Sequence, residues 1–389
     1  MSELNFPSKK TILLSIGGLS AQHLPTYGNN WIETPGINRL ANRSEVYEFA
    51  FANEIAVGAA VSIPEWEPLP EPSVLLTDCG ESISPALQEK FSEVLSLGAD
   101  EPTGLAAELE QTQLAQIFAQ TIDQLHELLQ SDVKMIWIEL KGMFGAWDAP
   151  YSVRESFVEE DDPAPPFFLE PPAFDLRGEG DVDPDTLLGI QQAFAAQMFV
   201  LDTCLGVLLD ELNLEHNNRL VLGLTSPKGY PLGEHRVIGV DQPILFSESA
   251  HVPWIVHNAG FQPTVFRHQD LFDAEVVMRA FLESAIGAPN INADLMGPAD
   301  SDLIVLRIPG EESPTRLVRT RAWLLVEVGE QAKLFVKPDD RFEFNDVSSR
   351  RVDVVEELQQ IADAWEQAKD AGREFDVKLE DHLMATWGR

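Results

Sequence analysis

The chain has 389 residues, and 44% of them are hydrophobic, so a sizeable core can form and wholesale disorder is excluded. Its formal net charge is -37, from 64 acidic and 27 basic residues. A field of that sign repels nucleic acid and anionic membrane surfaces, so neither is expected as a partner.

Cysteine usage and the N-terminal residues indicate the compartment. Two cysteines, Cys79 and Cys204, are too few for a disulfide framework in a chain of this length. Residues 1–10 are polar and carry no apolar signal segment. No run approaches the roughly 18 apolar residues that a membrane span needs. The sequence therefore predicts a cytoplasmic protein.

The first part of the chain shows short apolar runs and one helical pattern. Residues 11–16 (TILLSI) precede two glycines, which predicts a buried strand ending in a glycine turn. Residues 73–77 (SVLLT) predict a second strand, which ends at Asp78. Apolar residues at helical spacing between 114 and 129 predict a helix, and residues 133–140 (VKMIWIEL) predict a third strand.

The middle of the chain begins with an acidic, proline-rich stretch. Residues 158–183 are rich in Pro, Asp and Glu and predict a long surface loop. A helix cap follows at Asp183 and Pro184, and apolar residues then recur every three or four positions as far as Leu212. Residues 220–224 and 251–256 predict two further buried strands.

The pattern changes after about residue 300. Short strands lie close together there, and a final helix begins near Val352; the predicted strands are 303–308, 315–320, 322–328 and 333–337. Before this point, strands alternate with helices, which favours an α/β fold with a large, mostly parallel sheet flanked by helices on both faces. We place this domain at residues 8–295, and a small C-terminal α+β subdomain with an antiparallel sheet at residues 300–389.

Four blocks carry recognisable motifs in a fixed order. Residues 11–28 (TILLSIGGLSAQHLPTYG) and 34–41 (TPGINRLA) come first, and residues 225–235 (TSPKGYPLGEH) and 251–256 (HVPWIV) come later. They resemble the sulfatase family of the alkaline-phosphatase-like superfamily. Its motifs are Leu-x-x-x-x-Leu-x-x-Tyr-Gly, Thr-Pro-x-x-x-Arg-Leu-Ala, Thr-Ser-Asp-His-Gly-x-x-x-Gly-Glu-His and Arg-Val-Pro-x-Ile-Val. The resemblance spans most of the chain and implies the sulfatase fold.

The residues that the family uses to hold a cation are replaced. The resemblance implies two aspartates at the end of the first strand, as ligands of a divalent cation that is usually calcium. Gly17 and Gly18 stand there, and Pro227 and Lys228 stand at the late ligand positions. Hard cations prefer several charged oxygens, and a lysine ammonium repels them. We therefore expect no metal at this place and no cofactor.

The family's nucleophile is not matched either. A Cys or Ser followed by Pro and Arg is implied soon after Ala52, but Ser62 lacks the arginine. The histidine-bearing loop Asp-Pro-His-x-Pro-Tyr aligns with residues 146–151 (AWDAPY), where no histidine remains. Hydrolysis of this kind needs a cation and an activated nucleophile, so only Ser62 and His235 are left, as weak catalytic candidates.

Five residues are candidates for binding a ligand. Lys228 either holds an anion as a point charge or is an exposed loop lysine. Glu234 and His235 either line a pocket or orient the loop that follows residue 224. Asp78, with Asp148 nearby, either forms a carboxylate site at the ligand-binding edge of the sheet or caps a turn.

These observations predict a sulfatase-like protein without hydrolytic activity, whose role is binding or scaffolding. The alternative is an active sulfuric or phosphoric ester hydrolase with a rebuilt site. The expected partner is a small anionic ligand, held near Lys228, or another protein. The sequence gives no indication of the oligomeric state.

Overall fold

The structure, a computed structural model, describes residues 9–52, 69–80, 83–177, 183–214, 216–217, 219–241, 244–258, 266–286, 301–308, 315–373, 375 and 377–385. Within them the strands are β1 (Lys10–Ile16), β2 (Glu45–Phe51), β3 (Ser73–Thr77), β4 (Glu93–Ser96), β5 (Met135–Leu140), β6 (Phe174–Asp175), β7 (Leu220–Thr225), β8 (Val237–Ile238), β9 (His251–Asn258), β10 (Phe266–Asp273), β11 (Leu303–Arg307), β12 (Thr315–Thr320), β13 (Trp323–Val328) and β14 (Gln331–Val336).

The helices of the same residues include one of 29 residues, which lies in the middle of the chain. In chain order they are α1 (Pro35–Ala41), α2 (Pro85–Gln88), α3 (Gln113–Leu128), α4 (Tyr151–Glu155), α5 (Pro184–Leu212), α6 (Ser247–Ala250), α7 (Ala274–Ile286), α8 (Val352–Asp370) and α9 (Asp381–Met384).

Eight strands form one large sheet, in the order β10-β2-β9-β7-β1-β5-β3-β4. Only β9 runs antiparallel to its neighbours; the other pairs are parallel. The register pairs Ser15 with Thr225, Ile16 with Leu140, and Thr77 with Glu139. The carboxyl ends of β1, β3, β5 and β7 therefore meet at one edge, which is where open α/β sheets bind ligands.

The sheet is buried on both faces, as its continuous apolar strands require. Ile12, Leu14 and Ile16 of β1 pack into a core shared with α1, α3 and α5. Leu13 faces the other way, into a second core that contains Phe281 of α7. This arrangement confirms the predicted α/β architecture with helices on both faces.

Helix α5 is the central helix of the first core. Its apolar 18-residue window has a mean hydropathy of 1.5, enough in length and composition to cross a membrane, but 78% of that window is buried inside the protein. Its Asp202 carboxylate accepts hydrogen bonds from the backbone N–H groups of Gly36 and Ile37, both at 2.8 Å. The helix therefore packs against α1 and also supplies the cap for its first turn.

A second, wholly antiparallel sheet has the order β11-β12-β13-β14. One face packs on α8 through Val318, Leu325 and Leu358. The other face contributes Leu317, Leu324 and Phe335 to a core that also contains Phe51 and Leu271 of the large sheet. The small antiparallel sheet and its helix are thus present as predicted.

Two of the sequence predictions concern segments that the structure describes only in part. The expected loop at 158–183 is described as far as residue 177, and it contains the short strand β6, which pairs with β8. The expected domain boundary between residues 295 and 300 lies outside the described residues.

Candidate functional site

The glycine turn after β1 lies between two loops at the carboxyl edge. The N–H of Gly17 donates to Leu140 O at 2.9 Å, and Met143 N donates to Gly17 O at 2.8 Å. On the other side, Gly18 N donates to Lys228 O at 3.1 Å. The loops after β5 and β7 therefore close over the turn at which the family places its cation ligands.

The space that side chains at these two positions would need is already filled. A Cβ atom at position 17 would lie 2.5 Å from both Lys141 O and Phe144 Cδ2. At position 18, where φ is +82°, a Cβ would lie 2.6 Å from Met143 Cβ. Real Cβ atoms do not approach other atoms that closely, so the fold requires glycine at both places.

Lys228 lies where the family has a cation ligand, and only 5% of it is exposed. Its Nζ is 5.7 Å from the centroid of the Phe144 ring, within the range of a cation–π contact. Burial lowers the pKa of Lys228 to about 8, and Asp241 partly offsets that effect. The alternative of an exposed loop lysine is therefore wrong.

This constellation does not fit calcium. Two glycines and a proline offer no carboxylate, and the ammonium of Lys228 is buried in the same loop assembly. Calcium takes six to eight oxygen ligands, several of them charged. What the residues present instead is a single positive charge packed against an aromatic ring.

Glu234 and His235 belong to a buried network behind this loop. Glu234 Oε2 accepts from Leu232 N at 3.1 Å, and Glu234 Oε1 lies 3.6 Å from Nε2 of His23. His235 Nδ1 lies 2.9 Å from Glu248 Oε2, and Nε2 lies 3.2 Å from the carbonyl oxygen of Glu343. Both ring nitrogens of His235 are therefore engaged with protein groups.

The protonation of this network follows from its neighbours. Burial and the nearby carboxylates of Glu234 and Glu343 raise the pKa of Glu248 well above its ordinary value. Burial lowers the pKa of His235. Because Nε2 of His235 faces a carbonyl oxygen, it carries the ring proton. Nδ1 of the ring and Oε2 of Glu248 then form the second hydrogen bond of the ring.

Asp78 lies at the same edge, one strand beyond β5. Its Oδ1 accepts from Lys141 N at 2.8 Å, so it ties the end of β3 to the loop that covers Gly17. Glu139 accepts from Trp137 Nε1 at 3.1 Å, and burial raises its pKa to about 8. Cys79 is buried beside both carboxyl groups, and burial, with those charges, raises its pKa.

Asp148 has a different partner from the one expected. Its Oδ2 accepts from Gln113 N at 2.7 Å, at the first residue of α3. Trp147 beside it is fully buried, and its Nε1 donates to Met143 O at 2.9 Å. The backbone carbonyl oxygen of Asp148 accepts from Ala106 N at 2.9 Å. The bond to Gln113 caps the start of α3, and the sequence analysis missed it because it joins residues 35 positions apart.

The remaining candidate, Ser62, falls in residues 53–68, which lie outside the described residues. Phe144 and Met143 were not identified from the sequence, although they decide what the site can hold. The only signal for them was their position, a few residues beyond the end of the strand that pairs with β1.

No family profile matches the sequence, and no curated protein matches it. Solved structures do match. A phosphonate monoester hydrolase of Agrobacterium radiobacter has a TM-score of 0.67 at 13% identity, covering 93% of this chain and 96% of that chain. A phosphonate monoester hydrolase from Silicibacter pomeroyi gives 0.67 at 14% identity with the same coverage. A 2-O GAG sulfatase gives 0.63 at 13% identity, covering 97% and 96%.

These similarities establish the architecture. The chain has the fold of these sulfatases and phosphonate monoester hydrolases, which is the fold that its motifs predicted. At this level of identity the likeness is one of fold, and fold does not carry activity with it.

Proposed function

We propose that this chain is a non-hydrolytic protein of the sulfatase fold, which acts by binding a ligand and not by cleaving an ester. The observation that supports this most directly is the packing at Gly17, where the Phe144 ring and the Lys141 carbonyl oxygen occupy the position of a ligand side chain. A cation-binding carboxylate cannot be placed there without moving the loop after β5.

The charge of the site supports the same proposal. Metal-assisted hydrolysis uses a dication to offset the charge that develops on the ester oxygens. Lys228 provides one positive charge in this neighbourhood, and its ammonium is held under Phe144. A single buried ammonium can hold a small anion, but it does not activate water or a hydroxyl as a metal does.

His235 offers no substitute base. Its two ring nitrogens contact Glu248 and the Glu343 carbonyl group, and burial lowers its pKa. A general base must reach the proton that it removes, and this ring is held between α6 and the loop after β14. The retained Gly-Glu-His therefore supports a structural role for the motif.

Turnover measurements test the proposal. Purified protein should hydrolyse 4-nitrophenyl sulfate, 4-nitrophenyl phosphate and a phenyl phosphonate monoester no faster than its Ser62→Ala variant does. The comparison is made in EDTA and again with calcium, magnesium or manganese. Calorimetry should show no saturable one-to-one binding of calcium. A metal-dependent rate that disappears in Ser62→Ala would contradict the proposal and favour an active hydrolase with a rebuilt site.

A further inference from the structure

A cleft separates the edge of the large sheet from the small sheet. Two adjoining cavities, of about 200 Å³ and 540 Å³, share the lining residues Glu48, Phe49, Arg319, Lys337 and Pro338. The smaller one reaches inward to Gln22 and His251, and the larger one opens past Leu271 and Met384. The cleft is lined from β2, β12 and the loop after β14.

Arg319 of β12 is the most deeply buried cation of this cleft, with 3% of its surface exposed. Its Nη1 donates to the carbonyl oxygens of Thr320 and Trp323, the second at 3.2 Å. Among the described residues, no carboxylate forms an ion pair with it, and no acceptor is recorded for Nε or Nη2. A guanidinium group has five N–H donors, so several donors of Arg319 remain able to bind a ligand.

Arg341 lines the inner cavity from the loop after β14. It is half-buried, and in the described part of the chain no hydrogen bond or ion pair holds its guanidinium. Its Nη1 lies against Gly28, where a Cβ atom would be only 2.6 Å away. Gln22, 4% exposed, lines the same cavity, and its side-chain amide has no recorded partner among those residues.

The cleft also holds carboxylates. Glu48 lines both cavities, where it pairs with Arg267 and attracts Arg341, and Glu343 attracts Arg319. Lys337 is committed, since its Nζ donates to Glu343 Oε1 and to the carbonyl oxygens of Asp340 and Arg341. Burial lowers the pKa of His251 to about 3, and Arg341, Arg319 and Lys337 reinforce the effect, so this ring is neutral. Cations that share a desolvated space repel each other, and a bound anion removes that repulsion.

We propose that the cleft between the two sheets binds a small molecule through one oxyanion group, a sulfate, phosphate or carboxylate. Arg319 and Arg341 contact the oxygens, Gln22 donates a further hydrogen bond, and the outer cavity holds the rest of the molecule. Guanidinium groups match the planar spacing of oxyanion oxygens, which makes a pair of them suited to this ligand class. This site is separate from Lys228, and the proposal holds whether or not the chain hydrolyses esters.

The test is calorimetric titration of the full chain with sodium sulfate, sodium phosphate and sodium acetate, each compared with sodium chloride at equal ionic strength. Arg341→Met is the main variant, because Arg341 makes no bond on which the described fold depends. Arg279→Met removes the same charge from the exposed face of α7 and serves as the matched control. Lys228→Met tests the other cationic position. Arg319→Met is added and checked for folding by circular dichroism.

At least one of the three anions should bind saturably to the wild type. Its dissociation constant should rise about tenfold or more in Arg341→Met, as expected for the loss of a charge-assisted contact, and should change little in Arg279→Met and Lys228→Met. Equal affinity in wild type and Arg341→Met, loss only in Lys228→Met, or no saturable binding of any anion would each overturn the proposal. If the protein hydrolyses an aryl sulfate and Arg341→Met still weakens anion binding, the proposed function is contradicted but the anion site in the cleft is not.

Discussion

At the scale of single residues, the candidate site is defined by what fills it. Gly17 is placed between a backbone carbonyl group and an aromatic ring, and both approach to 2.5 Å of its missing Cβ. Interiors of proteins are packed as densely as organic crystals, so one added group there displaces several others. The two glycines are therefore part of a packed loop, and restoring the family's aspartates should not restore its cation site.

Gly17→Asp should lower the free energy of unfolding by about 1–3 kcal/mol, the usual cost of overpacking. Gly206→Ala is the matched control, because a Cβ on that residue of α5 meets nothing within 4 Å. Alanine in a helix interior should stabilise the protein by about 0.5–1 kcal/mol. Urea unfolding measures both. A Gly17→Asp protein that keeps wild-type stability and gains calcium binding would contradict the packing described here.

At the scale of elements, helix α1 receives its cap from another helix. Thr34 occupies the N-cap position, but its side chain makes no cap bond. The carboxylate of Asp202 accepts from the N–H groups of Gly36 and Ile37 instead, and its negative charge faces the positive end of the α1 dipole. The short helix α1 and the long helix α5 are thus joined by hydrogen bonds as well as by packing.

Asp202→Ala should therefore destabilise the protein by about 1–3 kcal/mol, since it leaves two buried donors unpaired. Thr34→Ala is the comparison, because the Thr34 hydroxyl is buried without a recorded partner. That change should stay within about 0.5 kcal/mol of wild type. If chemical denaturation shows equal losses for the two variants, the cap is not supplied by Asp202.

Elements with continuous or strictly periodic apolar residues could be predicted from the sequence. Strand β1, helix α5 and strand β12 are found within a residue or so of the expected bounds. Strand β10 was missed, because only Leu271 and Phe272 of its eight residues are buried, as suits an edge strand with a weak apolar pattern.

The site could be predicted only as far as its motif positions. The sequence identified the loops after β1 and β7, since those follow recognisable motifs. It did not identify that Phe144 lies over Gly17, or that Arg319 and Arg341 face one cavity with Gln22. Gly17 and Phe144 are more than 100 residues apart along the chain, and Gln22 is about 300 residues from both arginines. No local pattern in the sequence encodes contacts over such separations.

At the scale of the whole molecule, buried carboxyl groups link stability to pH. The pKa of Glu139 is raised to about 8 and that of Glu248 well above its ordinary value, in both cases first by burial. The folded chain therefore binds protons that the unfolded chain has already released. The stabilisation that such a group contributes is at its full value below pH 4.5, the pKa of the carboxyl group in the unfolded chain. It decreases as the pH rises from there and is lost once the pH passes the pKa in the folded chain.

Buried histidines act in the opposite direction, but only at lower pH. Burial lowers the pKa of His235, His251 and His257 below 6.5. Above pH 6.5 these rings therefore add little further pH dependence to the free energy of unfolding. Lys228, whose pKa is lowered to about 8, opposes the carboxyl groups only near that pH. Between pH 6.5 and 7.5 the free energy of unfolding should thus fall, by up to about 1.4 kcal/mol per pH unit for each carboxyl group. Urea titrations across this range measure the slope. Glu139→Gln should flatten it, and an unchanged or rising slope would contradict the assignment.

Part of the core that covers helix α5 comes from residues that follow it in the chain. Strand β7, which completes the sheet beneath it, begins at Leu220, after the helix has ended at Leu212. A nascent chain that ends just after α5 still lacks β7, which is one of the two strands that pair with β1. Part of the apolar surface of α5 is then exposed to water. Apolar surface that is exposed in this way makes a partly synthesised chain prone to aggregation until the following strand is added.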